Sequence, residues 1–138
     1  MSTVHTGNAP KPVGAYPHAR RVGNLLFLSG VGPRRAGDDS IPGNVHDEAG
    51  NLVGYDIQAQ CAQVFANVQA VLEASGATLA NLVDITVYLT DMGRDFKAYN
   101  EAYARFFKGV DACRTTVGIT ALPTPIAIEL KCVAWLDS

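Results

Sequence analysis

The sequence predicts an α+β layer, one mixed sheet carrying two helices on one face, and three observations support that fold class. Runs with a two-residue period alternate with runs of helical spacing, in the order strand, helix, strand, helix, strand, strand. The 138 residues suit a single domain, 1–138, able to bury roughly two-thirds of its unfolded surface without disulfides. The strand runs are apolar on both faces. Right-handed crossovers place both helices on the same face, so the other needs cover from further subunits.

The elements follow in order. Pro10, Pro12 and Pro17 favour an extended lead-in that ends at Tyr16. After the Gly23-Asn24 turn signal, Leu25 to Gly30 is a short strand with Leu25, Phe27 and Ser29 on one face, delivering Ser29 and the Gly30 backbone at its end. Residues 31–54 are rich in Gly, Pro, Asp and Asn and form a long surface loop, closing a short hairpin near Gly50-Asn51. Ile57, Cys61, Val64, Phe65, Val68, Val71 and Leu72 then recur at helical spacing, with Asp56 as N-cap and Gly76 as stop. Asp84 to Thr90 alternates as a strand, and Asp95 is expected to cap a second helix. Its Tyr99, Tyr103, Phe106 and Phe107 share helical spacing and are assigned to the core.

The last stretch, RTTVGITALPTPIAIE from Arg114 to Glu129, carries the chemistry. A strand brings an arginine in, the chain turns at Pro123 and Pro125, and a second strand brings a carboxylate back, expected on a neighbouring strand. Arg114 shares a face with Thr116, Gly118 and Thr120. Ile126, Ile128, Leu130 and Cys132 share another, so Glu129 points away from them beside Ala127, Lys131 and Val133. A carboxylate among small and apolar neighbours has less water to stabilise its charge and is a candidate proton handler. Two structural readings stand beside this one: Arg114 as a solvated or salt-bridged strand residue, and Glu129 as the ion-pair partner of Lys131 or Arg114.

Other function classes are disfavoured. Eleven basic and 13 acidic residues, net −2, leave no footprint for a nucleic acid. His5, His18 and His46 are scattered, expected to be solvated, and stand at no zinc spacing from Cys61, Cys113 or Cys132, so no metal is expected. Gly30-Val31-Gly32-Pro33 cannot open the helix a dinucleotide fingerprint needs, and no nucleotide cofactor is implied. No G-x-S-x-G elbow surrounds Ser29. The odd cysteine count suits a reducing cytoplasm, and no signal-peptide core or membrane span is present.

Arg-Thr-Thr-Val-Gly-Ile-Thr-Ala-Leu-Pro followed by Ile-Glu resembles the signature of the reactive intermediate deaminase (Rid) family, also called YjgF. The likeness extends through Val13–Tyr16, Leu28–Gly30, Val87–Met92 and Tyr99–Phe107, nearly the whole chain. It implies a chorismate-mutase-like fold assembled as a homotrimer, with sheets lining a central barrel and active sites in clefts between subunits. It also implies cofactor-independent hydrolysis of an enamine or imine. In that chemistry Arg114 holds the substrate carboxylate, and Glu129 positions water and shuttles its proton. Ser29, Gly30 and Asn100 support the pocket, and Tyr16 closes it from an adjoining subunit.

Where many members of that family carry Ser-Gly-Gln, this chain has Ser29-Gly30-Val31, then Gly32-Pro33-Arg34-Arg35 and an enlarged acidic loop. This variant is most similar to the 2-aminomuconate deaminase branch, implying a six-carbon dicarboxylate substrate deaminated to 4-oxalocrotonate in tryptophan and nitroaromatic breakdown. Such a substrate needs a second cation, and Arg34 or Arg35 is the candidate; the opposing reading has them neutralise Asp38 and Asp39. Two further functions stay open: a general 2-iminobutanoate/2-iminopropanoate deaminase, and a non-catalytic binding or chaperone-like trimer. Ribonuclease activity, attributed to some relatives, is opposed by the near-neutral charge.

Overall fold

The computed structural model of the chain describes residues 2–137. Its strands are β1 (Ser2–Val4), β2 (Ala19–Val22), β3 (Leu25–Leu28), β4 (Val45–His46), β5 (Leu52–Gly54), β6 (Leu82–Leu89), β7 (Cys113–Gly118) and β8 (Ile128–Trp135). The helices are α1 (Ile57–Ala74) and α2 (Met92–Phe106). Six strands form one sheet in the order β1-β2-β3-β8-β6-β7, mixed because β6 and β7 run parallel while the other neighbours are antiparallel. The fold class expected from the sequence is therefore the one observed. β4 and β5 form the separate hairpin expected around Gly50, whose φ is +85°.

The core lies between the sheet and the helices. Leu26 and Leu28 of β3, Ile85, Val87 and Leu89 of β6, and Ile128, Leu130, Cys132 and Ala134 of β8 are all fully buried. They meet Cys61, Val64, Phe65, Val68 and Leu72 of α1, the stripe expected from helical spacing. Burying each large aliphatic side chain is worth about 1.5–3 kcal/mol, so this stripe is what holds α1 to the sheet. The side chain of Asp56 accepts from the N–H groups of Gln58 and Ala59, and Gly76 leaves the helix at φ +77°, as read from the sequence. Burial pushes the thiols of Cys61 and Cys132 up to about 12, which makes them hydrophobic filling rather than nucleophiles.

The opposite face of the sheet is bare. Val22, Leu25, Phe27 and Trp135 stand on it exposed, the uncovered apolar surface that the two-helix count implied.

Several sequence expectations need correction. The proline-rich lead-in is flanked by β1 and β2, which pair with each other. His18 is not solvated: buried, its Nε2 lies 2.8 Å from the Pro10 carbonyl while its Nδ1 accepts from the Thr6 N–H. It ties the proline segment to β2, and that pair of contacts requires the Nε2–H tautomer.

The long loop is also anchored. Gln60, buried on α1, donates to Asn44 and accepts from the N–H of Ala127, and Asn67 donates to the carbonyls of Gly32 and Arg34. The bond from the Ala127 N–H matters for chemistry, because it fixes the backbone two residues before Glu129.

The cap of α2 is Asp91, whose side chain accepts from the Arg94 N–H, and not Asp95. Asp95 lies inside the first turn, 1% exposed, accepting from the Tyr55 hydroxyl at 2.5 Å while its other oxygen accepts no hydrogen bond and faces Arg94 Nε at 3.6 Å. Burial raises its carboxyl above the ordinary 3.8, against the smaller opposing effects of the Tyr55 hydrogen bond and Arg94. With the folded value above the unfolded one, the native state holds the extra proton. Its contribution therefore turns unfavourable as pH rises through the folded value and is relieved as pH falls toward 3.8. Asp95→Asn should keep the Tyr55 bond and flatten the melting-temperature profile across that acid window; an unchanged profile would show that Asp95 does not titrate with folding.

Among the described residues, no helix is long and apolar enough to cross a membrane.

Candidate active site

β8 alternates cleanly, so the residues between its core positions project onto the bare face of the sheet. Glu129 and Lys131 do so side by side, with Tyr88 of β6 directly opposite Glu129 in register. The end of β3 approaches from the other edge. Together Tyr16, Ser29, Gly30, Tyr88, Glu129 and Lys131 line an open cleft of about 350 Å³.

Within this cleft the Glu129 carboxylate packs against the backbone of Gly30. A Cβ built on Gly30 would meet Oε2 at 2.9 Å and Cδ at 3.0 Å, so only glycine leaves the carboxylate this position. No described group donates a hydrogen bond to Glu129, and burial pushes its carboxyl above the ordinary 4.5. Ser29 donates to the Pro17 carbonyl at 2.7 Å, locking the strand end onto the segment that presents Tyr16. Tyr16 is 41% exposed, a large ring waiting at the rim.

Arg114 is built elsewhere. In the parallel pair β6·β7 it stands opposite Ile85, a core residue, and so faces the helix side of the sheet. There its Nη1 donates to Asn100 Oδ1 at 2.9 Å, and its Cζ lies 4.7 Å from the Tyr103 ring centroid and 5.3 Å from that of Tyr99. Tyr99 is itself fixed by a 2.8 Å bond between its hydroxyl and Thr116. Burial raises the Tyr103 phenol to about 12, so it stays neutral and offers the guanidinium an uncharged π face. The rest of the planar fork remains exposed at the edge of the sheet.

One expectation therefore fails within a single chain. Arg114 and Glu129 do not occupy neighbouring strands: β6 lies between β7 and β8, and the two side chains leave the sheet on opposite faces. Neither is the other's ion-pair partner, and Lys131 does not pair with Glu129 either; its ammonium donates to the Leu28 carbonyl. The structure groups Tyr16, Ser29 and Gly30 with Glu129, and Asn100 with Arg114. These are two separate clusters.

Residues 6–136 match the family described as Endoribonuclease L-PSP, and the chain is 38% identical over 133 residues to Reactive Intermediate Deaminase A, chloroplastic, of Arabidopsis thaliana, covering 96% of this chain and 65% of that longer one. The chain belongs to the Rid/YjgF family. Another Rid/YjgF relative, the 2-iminobutanoate/2-iminopropanoate deaminase of Dermatophagoides farinae, is 31% identical over 135 residues, covering 97% of this chain and 95% of its own. The crystal structure of the YjgF gene product of E. coli superposes with a TM-score of 0.83 at 30% identity, covering 98% of both chains.

Set within the Rid/YjgF fold, the two loop arginines sit behind the cleft. Arg34 borders a narrow crevice of about 40 Å³ that shares Tyr16, Ser29 and Gly30 with it. Its guanidinium is occupied by Asp39 at 2.8 Å and the Lys11 carbonyl at 2.7 Å. Arg35 is exposed and donates to the Ser40 hydroxyl. These contacts match the reading in which both neutralise and shape the acidic loop. Sequence reasoning missed Tyr88 and the tyrosine platform under Arg114. Tyr88 shares the face of Thr86, and only the pairing of β6 with β8 puts it beside Glu129. Helical spacing reports only burial for Tyr99 and Tyr103; Tyr103 does pack with Phe65 and Phe107, and Tyr99 with Phe96 and Tyr103, while the guanidinium lies over both tyrosine rings.

Proposed function

We propose that the chain is a cofactor-independent hydrolytic deaminase of enamine and imine substrates, converting 2-aminomuconate to 4-oxalocrotonate and ammonia from sites shared between subunits of a homotrimer. The observation that carries this reading is the division of one catalytic set into two half-sites. A half-buried, unpaired carboxylate lines a cleft on the bare sheet face, and a braced guanidinium with free donors stands at the sheet edge. A second copy packed on the exposed apolar face carries its own edge arginine toward that cleft. Burying that face is also the driving force for assembly.

The chemistry follows from the groups. The enamine first tautomerises to the 2-imine, gaining a proton on carbon from solvent and losing one from nitrogen to it. Arg114 of one subunit grips the carboxylate beside C2 with its planar fork, which orients the C=N bond. Glu129 of the neighbour holds a water, accepts its proton as the oxygen bonds to C2 and the C=N π pair moves to nitrogen, and passes that proton to the nitrogen to give the neutral carbinolamine. Glu129 then takes the carbinolamine hydroxyl proton as C=O forms and delivers it to the departing nitrogen, so that C–N breaks and ammonia leaves. A carboxyl held above its ordinary range suits both halves of that exchange.

The name of the Dermatophagoides relative favours a second reading, general 2-imino acid deamination. Ammonia release measured on 2-aminomuconate and on 2-iminopropanoate, the latter generated in the cuvette, decides between them. A higher kcat/KM for the dicarboxylate supports the first reading, and a higher value for the monocarboxylate sinks it in favour of the second. Absence of turnover on both removes the enzymatic proposal.

The packing of Glu129 on Gly30 supplies a milder test. Gly30 has no positive φ, and the nearest obstacle to a methyl is the mobile end of a glutamate, so Gly30→Ala should fold with a melting temperature close to the parent's. The methyl displaces the carboxylate, and a misplacement of that order costs up to about 10²-fold in kcat. Unchanged kcat in Gly30→Ala would argue that the observed carboxylate position is not the working one.

A further inference from the structure

We propose that Lys131 is the residue that binds the remote carboxylate of a dicarboxylate ligand and so sets the preference for diacids over monoacids. This deepens the function proposed above and rests on its assignment of the cleft. Lys131 follows Glu129 by two positions on β8, shares its face and lines the same cleft. Two strand residues span about 6.7 Å at ~3.3–3.4 Å per residue, comparable with the length of a six-carbon chain. A ligand with its C2 at Glu129 therefore places its far end over the Lys131 ammonium, leaving the near carboxylate to the arginine of the other half-site.

The electrostatic state of Lys131 points the same way. It is half-buried, and no carboxylate among the described residues is paired with it, unlike Arg34, which is held by Asp39, and Arg94, which lies beside Asp95. Its polar contact is the Leu28 carbonyl, which uses one of three ammonium donors. A cation partly removed from water and facing a cleft with donors to spare is stabilised by an incoming anion. The competing cation is Arg34, and it is already committed to Asp39 and the Lys11 carbonyl. Arg35 stands outside the cleft on the loop.

The test uses two unreactive probes with the same carbon skeleton, muconate with two carboxylates and sorbate with one. Their dissociation constants are measured by titration calorimetry on the assembled protein for the parent and for Lys131→Met, Lys131→Gln, Lys131→Arg and Arg34→Met. The parent is expected to favour muconate by tenfold or more. Lys131→Met and Lys131→Gln should weaken muconate by about that factor, leave sorbate unchanged and so erase the preference; Lys131→Arg should keep it. Retained sorbate binding certifies an intact cleft in each variant, and the glutamine form stands in should the methionine form misfold. A parent without preference, a preference that survives both neutral variants, or one lost in Arg34→Met instead overturns the assignment. Because neither probe is turned over, the outcome stands apart from the deamination assay: a protein inactive on both substrates can still show or lack this diacid selectivity.

Discussion

Glu129→Gln is expected to lower kcat for imine hydrolysis by about 10²–10⁴-fold, the range of a lost general acid–base, while leaving KM nearly unchanged. The amide fills the same space above Gly30 and can still touch water, but it can neither take the proton from the attacking oxygen nor return one to nitrogen. Stability should move the other way. Burial disfavours the ionised form of Glu129, and no described group compensates it, so the neutral glutamine should match or exceed the parent in melting temperature near pH 7. The pH profile adds a second signature: the limb of parental kcat/KM that reports this carboxyl should lie above 4.5. A glutamine variant within a few-fold of parental kcat would remove Glu129 from the chemistry.

The second large effect concerns how the half-sites combine. Arg114→Ala removes the fork that orients the substrate, a loss of about 10²-fold or more, from an exposed position where folding has little to lose. Two inactive proteins, Arg114→Ala and Glu129→Gln, are then unfolded, mixed in equal amounts and refolded together. If each site takes its arginine from one subunit and its glutamate from the next, a site is whole when the arginine donor is a Glu129→Gln chain and the carboxylate donor an Arg114→Ala chain. Random assembly meets both conditions in about one quarter of sites, so ammonia release should recover to roughly a quarter of the parental rate. Were both groups supplied by one chain, no mixture could restore a complete site and the rate would stay at the level of the parts. The measurement thus reads site sharing directly.

The elements that repeat a clean pattern are legible in the sequence. Glu129, Lys131 and Val133 alternate with Leu130 and Cys132, so the two faces of β8 can be assigned from the residues alone, and the stripe from Ile57 to Leu72 defines α1 with its cap at Asp56. The short outer strands are not, because the edge strand Ser2–Val4 and its neighbour Ala19–Val22 are short, partly polar segments whose pairing is decided by each other and by β3. The cap of α2 is ambiguous locally. Asp91 and Asp95 are both acids near the helix start, and the choice is made by Tyr55, 40 residues away, whose hydroxyl claims Asp95. For the site, the face of each functional side chain is readable but the order of the strands is not. That order inserts β6 between Arg114 and Glu129, which separates an apparent pair within one chain.

The tyrosines beneath Arg114 have one more implication. Tyr103 meets Phe65 edge-on at 6.1 Å and lies 4.5 Å from Phe107, so the surface on which the guanidinium rests is the outer layer of the packed interior. Interior and guanidinium support are mechanically continuous here. A drift in aromatic packing deep under α2, remote from any bound molecule, would travel outward as a change in how firmly the fork is aimed.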